Sequence, residues 1–202
     1  MVVADSGGFL KTRQGGVACL VILSGPNTLA RMTRFLSLWM SLPLCVLLCQ
    51  CGSSAGARWE YKFTPGKTAV IIGGRAVPPA NAPAAVLRAI SAGNHICTKP
   101  YRRGGGHAHF EDWAYDCSGM TSYVLHAAGR LNAPTVSGAF RSYGSSGHGK
   151  WITVYARKGH VFLEVAGLRL DTGYSDASSD GPRWSSRSRP TKGYTMRHPS
   201  GL

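Results

Sequence analysis

The chain has 202 residues, of which 16% are charged and 44% hydrophobic, and it carries a formal net charge of +14. That length suits one domain of ordinary size, and the basic excess favours polyanionic surroundings such as an acidic wall polymer or a membrane surface. Nucleic acid is set aside as a partner, because no aromatic-interleaved RNA motif and no zinc-finger spacing is present.

The charge is spread along the chain rather than blocked: from Gly52 onward 19 Lys and Arg face 8 Asp and Glu, a net of +11. Residues 1–31 show no clear periodicity. Met32-Thr33-Arg34 then leads into Phe35 through Cys49, a mostly apolar stretch interrupted by Pro43. It is too short to span a bilayer and has the build of a secretory h-region. The simplest reading makes Met32 the true start and 1–31 an over-extension; the alternative is a long n-region. Leu48-Cys49-Gln50-Cys51-Gly52-Ser53-Ser54 resembles a bacterial lipoprotein signal, with Cys51 as the lipid-anchored residue. Ala55-Gly56-Ala57 offers an ordinary cleavage site instead. On either reading residues 1–57 are extension plus signal, and the protein is exported, as a membrane-anchored lipoprotein or a periplasmic or secreted protein.

Residues 58–80 read as an extended arm or hairpin, with Gly73-Gly74 as the turn between Thr68–Ile72 and Arg75–Val77. Asn81 is the predicted cap of a helix from Ala82 to Ala92, with Val86, Leu87 and Ile90 on its apolar face and Gly93 closing it. A glycine-rich loop, 104–106, follows. The next helix carries Met120, Tyr123, Val124 and Ala127 at i, i+3, i+4 and i+7. Asp116 is its predicted N-cap, Cys117 stands in its first turn, and Gly129 is its stop. Residues 130–150 are loop-rich. Strands are predicted at Trp151–Tyr155, His160–Val165, Leu168–Asp171 and Tyr194–Arg197, with a loop over 173–192. Leu168 and Leu170 share one face of their strand, and Arg169 and Asp171 the other. Helices followed by antiparallel strands make an α+β domain.

The chemistry centres on Cys117. A helix N-terminus offers unpaired N–H groups and a partial positive charge, which favour thiolate. His160, on a strand 43 residues downstream, is the candidate base and later general acid. The backbone N–H of Cys117 is a candidate oxyanion donor. Of the six cysteines, Cys19, Cys45 and Cys49 fall in or before the signal, so Cys97 and Cys117 remain in the body beside Cys51. A Cys97–Cys117 disulfide is the rival reading of Cys117, and it would silence the site. His107-Ala108-His109 lacks further ligands at zinc-like spacing and is read as surface, so no metal is expected. Arg183, Arg187, Arg189 and Arg197 are a candidate basic face for the wall polymer or membrane surface.

Lys99-Pro100-Tyr101-Arg102-Arg103-Gly104-Gly105-Gly106, then Tyr115-Asp116-Cys117-Ser118-Gly119, then Gly159-His160-Val161 resembles the NlpC/P60 family of cell-wall cysteine peptidases. Its members typically read Pro-Tyr-x-x-Gly-Gly, Asp-Cys-Ser-Gly and His-Val-Gly, and Phe162 stands where the last glycine is usual. The resemblance covers residues 83–173 and implies a papain-like core, which would make 81–202 the catalytic domain. It implies Cys117 as nucleophile and His160 as base, with a third polar residue on the next strand, where Asp171 is the match. Tyr101, Asp116 and Ser118 are implied substrate contacts, although Asp116 reads equally as a helix cap alone. The implied activity is hydrolysis of an amide in peptidoglycan stem peptides by a monomer, without cofactor. A non-catalytic wall-binding lipoprotein and a thiol amidase or acyltransferase on another substrate are the alternatives.

Overall fold

The computed structural model describes residues 56–173 and 181–202. The signal-like segment, Cys51 and the Met32 start lie outside the described residues, as does part of the loop expected at 173–192. Among the described residues, no helix is long and apolar enough to cross a membrane.

The arm begins with a short strand, β1 (Arg58–Trp59), and continues into the hairpin of β2 (Val70–Ile72) and β3 (Arg75–Val77). Gly73 and Gly74 both have positive φ, 56° and 77°, which is the backbone a tight two-residue hairpin turn demands and glycine supplies. Asn94 pins this hairpin to the first helix: its side chain accepts from Ala76 N and donates to Ala76 O, both at 2.8 Å.

That helix, α1, spans Ala84–Ile96 and so runs past the end expected at Ala92. Gly93 does not stop it. A methyl group there would collide with the indole of Trp184, so the glycine serves close packing inside the helix. Asn81 is not the cap either: Pro83 occupies that position, with no side-chain cap bond. The second helix, α2 (Cys117–Ala127), has Asp116 as N-cap, and Gly129 follows its end at φ 72°.

The strands β4 (Ser145–Ser146), β5 (Ile152–Arg157), β6 (His160–Val165), β7 (Leu168–Asp171), β8 (Arg183–Ser185) and β10 (Thr195–His198) form one antiparallel sheet in the order β4-β10-β5-β6-β7-β8. The short β9 (Arg189–Pro190) pairs with β1 instead, Trp59 standing opposite Arg189. The architecture is α+β. The strand period of two sends Val154, Leu163 and Leu170 into a core with Val86, Ile90, Met120 and Val124 of the helices. The other sheet face carries Tyr155 and Phe162, covered by Trp59.

Residues 173–192 are therefore not all loop. Their Ser and Arg content suggested solvent, yet Ser185 and Arg189 are buried because their polar atoms find polar partners inside: Ser185 Oγ accepts from Arg169 Nη2 at 3.1 Å. The stretch 130–150 likewise holds a short 3₁₀ turn, Ala139–Ser142, as well as β4.

Candidate active site

The Cys117 end of the site is built by Asp116. Its Oδ1 accepts from the backbone N–H of Ser118 at 3.0 Å and of Gly119 at 2.8 Å, two donors the helix start leaves unpaired. Oδ2 accepts from Gly104 N at 2.9 Å, which ties the glycine-rich loop to the same cap. Burial opposes charge on this carboxyl, but the bonds from Gly119 and Gly104, and then His107, outweigh it and hold its pKa below the usual value. The loop sits so close to α2 that a Cβ on Gly119 would overlap the carbonyl oxygen of Gly105. The Asp-Cys-Ser-Gly run thus reads physically as cap, first-turn thiol, backbone donor to the cap and close-approach glycine. Cys117, in the first turn, is held at a rigid helix end.

Cys97 and Cys117 are both free thiols, so the disulfide reading does not hold. Cys97 is turned to its own helix, its Sγ 3.3 Å from Asn94 O.

His160 opens β6, and Asp171 closes β7. Both lie on the sheet face away from the helices. Nε2 of His160 is 2.9 Å from Asp171 Oδ1, leaving Nδ1 as the ring nitrogen open to Cys117. Burial works against a charged ring here. The hydrogen bonds to Asp171 and to Cys117, with the charges of both, more than offset it and push the His160 pKa up to about 9.

Asp171 is buried, with 2% of its surface exposed. Oδ1 also accepts from Thr172 N at 2.8 Å, and Oδ2 accepts from Arg169 Nη1 at 2.7 Å and Arg189 Nη1 at 2.6 Å. Burial would raise its pKa. The bond and charge of His160, then Arg189 and Arg169, reverse that and hold it below the ordinary value. Arg189 passes on to Tyr194, donating to its hydroxyl at 3.1 Å, and Tyr194 stands edge-on to the His160 ring at 6.4 Å.

A cleft of about 540 Å³ opens over this arrangement, lined by Tyr101, Cys117, Arg157, Gly159, His160, Thr172, Gly173 and Arg189. Cys117, His160 and the half-exposed Tyr101 therefore share one surface, with Asp171 behind the histidine. Asp116 and Ser118 are buried beneath the glycine-rich loop and are not among the lining residues. His107, read from sequence as a surface residue, has Nε2 at 3.0 Å from Asp116 Oδ1 and 3.1 Å from Ser118 Oγ. Among the described residues no His/Cys/Asp/Glu cluster suited to a metal is present.

Three of the arginines named as a candidate basic face have partners within the described residues. Arg189 is buried on Asp171; Arg183 donates to the carbonyls of Cys97 and Lys99; Arg197 donates to those of Tyr143 and Gly144. Sequence reasoning missed Arg169, Arg189 and Tyr194 as supports of Asp171. The one available signal was alternation in β7, which placed Arg169 on the Asp171 face.

A thiol, an imidazole and a carboxylate linked in this order are the parts of an acyl-transfer site in which the thiol attacks a carbonyl. No family model and no curated protein matches the sequence. Solved structures are similar to the chain in fold at low identity. One is a hypothetical invasion protein of Mycobacterium tuberculosis, Rv1477, at 20% identity and TM-score 0.39, over 56% of this chain and 63% of that one. A second is an NlpC/P60 family protein from Bacillus cereus, at 18% identity and TM-score 0.41, over 57% of this chain and 40% of that one. A third is the P60 domain of an antigen from M. avium paratuberculosis, at 21% identity and TM-score 0.39, over 56% of this chain and 93% of that one. The chain thus spans less than two thirds of the length of the first two.

Proposed function

We propose that this chain is an exported cysteine peptidase of the NlpC/P60 kind, hydrolysing an amide bond in peptidoglycan stem peptides. The observation that carries the reading is the position of His160, held through Nε2 by Asp171 while its other side interacts with Cys117 in an open cleft. The sequence motifs around Tyr101, Cys117 and His160 support the family and the substrate class, and the segment at 32–51 supports export.

The chemistry runs in two halves. The Cys117 thiolate attacks the amide carbonyl, and the oxyanion forms beside the N-terminus of α2. Imidazolium His160 gives its proton to the departing amine, and a thioester remains on Cys117. Neutral His160 then takes a proton from water, which attacks the thioester; the acid product leaves, and the proton on His160 restores the starting pair. Asp171 keeps the ring oriented and its charged form stable throughout.

The test is incubation of purified protein with isolated sacculi, with mass analysis of released fragments, beside Cys117→Ala. Release of new amine and carboxyl ends by the wild type alone is expected. Equal release by both proteins would remove Cys117 as nucleophile.

A further inference from the structure

Among the described residues lining the cleft, the charged or chargeable side chains besides Cys117 and Tyr101 are Arg157, His160 and Arg189, and none is a carboxylate. Arg189 is committed to Asp171 beneath the floor. Arg157 is placed differently. It ends β5 directly across from His160 in the ladder, so the two side chains leave the same sheet face side by side. It is exposed, and its guanidinium lies 4.9 Å over the ring of Tyr194. Tyr194 is itself fixed by Phe162, edge-on at 5.3 Å, and by the Arg189 bond to its hydroxyl. The contact with the Tyr194 ring holds the guanidinium beside His160 at the wall of the cleft that Arg157 lines. Its guanidinium has no hydrogen bond or ion pair with another described residue. A flat, always-charged fork is suited to grip a carboxylate through two parallel bonds.

We propose that Arg157 is a specificity-determining residue of this cleft, binding a carboxylate that the substrate carries close to the scissile amide. The proposal rests on the reading of the cleft as the reaction site. It predicts a substrate whose free carboxylate adjoins the cut, and it gives Tyr194 a purpose as the shelf that holds Arg157 beside His160.

Two matched alkylating probes test this without requiring a natural substrate. Iodoacetate and iodoacetamide both react by displacement of iodide by the Cys117 thiolate and differ in a carboxylate against an amide. Peptide mass mapping separates Cys117 from Cys97. The expected result is a fall of the iodoacetate-to-iodoacetamide rate ratio by about five- to tenfold in Arg157→Gln, the size of one charge-assisted contact at a partly exposed site. Taking the ratio within each protein cancels any change that the lost charge makes to the reactivity of Cys117 itself. Arg157→Lys should fall between the two, and Arg141→Gln, which removes an exposed charge elsewhere, should leave the ratio alone. An unchanged ratio in Arg157→Gln overturns the proposal. A second arm compares sacculi before and after carbodiimide amidation of their carboxyl groups: the wild type should favour untreated sacculi, and Arg157→Gln should be indifferent. Wild-type protein that cuts neither preparation counts against the peptidase reading, while the alkylation ratio still decides on Arg157.

Discussion

Arg189 Nη1 reaches Asp171 Oδ2 at 2.6 Å from a strand eighteen residues further along the chain. This bond joins the proposed orienting carboxylate to β9, and through the β1–β9 pair to the N-terminal arm. Arg169, fully buried, holds the same oxygen at 2.7 Å. Asp171 therefore answers to three cations, counting protonated His160, and is as much the keystone of a buried charge cluster as the partner of an imidazole.

This changes what a substitution at Asp171 reports. An alanine would leave two buried guanidinium groups facing a cavity. Even the isosteric Asp171→Asn should cost about 3–5 kcal/mol of stability, the range for removing one partner of a buried ion pair. Chemical denaturation of the two proteins at pH 7 checks this. A rate loss in Asp171→Asn is interpretable only where the folded fraction is measured beside it. A destabilisation under about 1 kcal/mol would mean that water reaches the arginines when the carboxylate is gone.

The charge state of His160 makes a second prediction. Its folded pKa, about 9, stands above the ordinary 6.5. Its contribution to stability is thus whole below about pH 6.5 and is lost as pH rises through about 9. The depressed Asp171 acts in the opposite sense: its contribution is present above its ordinary 3.8 and lost as pH falls through its lowered value. An NMR titration of the His160 ring should show it still protonated at pH 8. In Cys117→Ala the midpoint should drop, because the bond and charge of Cys117 are among the causes that raise it. An ordinary midpoint near 6.5 in the wild type would contradict the paired geometry.

Gly119→Ala should be far more damaging than its chemistry suggests. The added methyl would overlap Gly105 O and crowd Gly106, both backbone. The loop must lift from α2, loosening the Gly104 bond to Asp116 and the cap beneath Cys117. A loss of at least about 2 kcal/mol is expected, as for overpacking against groups that cannot yield, together with slower alkylation of Cys117. Thermal unfolding and the alkylation rate read the two effects.

Much of this local frame was legible in the sequence. The Asp116 cap, the start of α2 at Cys117, the Gly73-Gly74 turn and the His160–Val165 and Leu168–Asp171 strands all rest on short-range rules of capping, turn chemistry and alternation, and those rules act within a few residues. What was not legible depends on tertiary partners. Gly93 looked like a stop because a glycine that makes room for Trp184 has the same local signature as one that ends a helix. Residues 183–190 looked like loop because serines and arginines are buried only when a distant Asp171 or Arg169 receives them. His107 looked like a surface residue because nothing in its neighbourhood shows that the loop folds back over Asp116 and Ser118.

The last prediction concerns the arm. Trp59 lies buried over Tyr155 and Phe162 on the outer sheet face, and the Arg169 guanidinium is 5.8 Å from its ring. Its backbone partner across the β1–β9 pair is Arg189. One residue of the arm therefore covers one of the arginines that hold Asp171 and pairs with the other. Trp59→Ala should cost about 3–5 kcal/mol, the range for truncating a large buried aromatic side chain. If the arm were only a covering, the damage would end there. Because Trp59 keeps water from Arg169 and steadies β9, the grip on Asp171 should also weaken, and the His160 midpoint should move down from about 9 in the fraction that remains folded. Tyr61→Phe serves as the comparison: it keeps the arm aromatic and removes only the hydroxyl bond to Ala69 O, so it should lower stability slightly and leave the His160 titration where it is. A Trp59→Ala protein that is less stable but titrates His160 like the wild type would make the arm a passive strap. A downward shift would make it a structural part of the proposed catalytic constellation, reaching His160 through Arg189, Arg169 and Asp171.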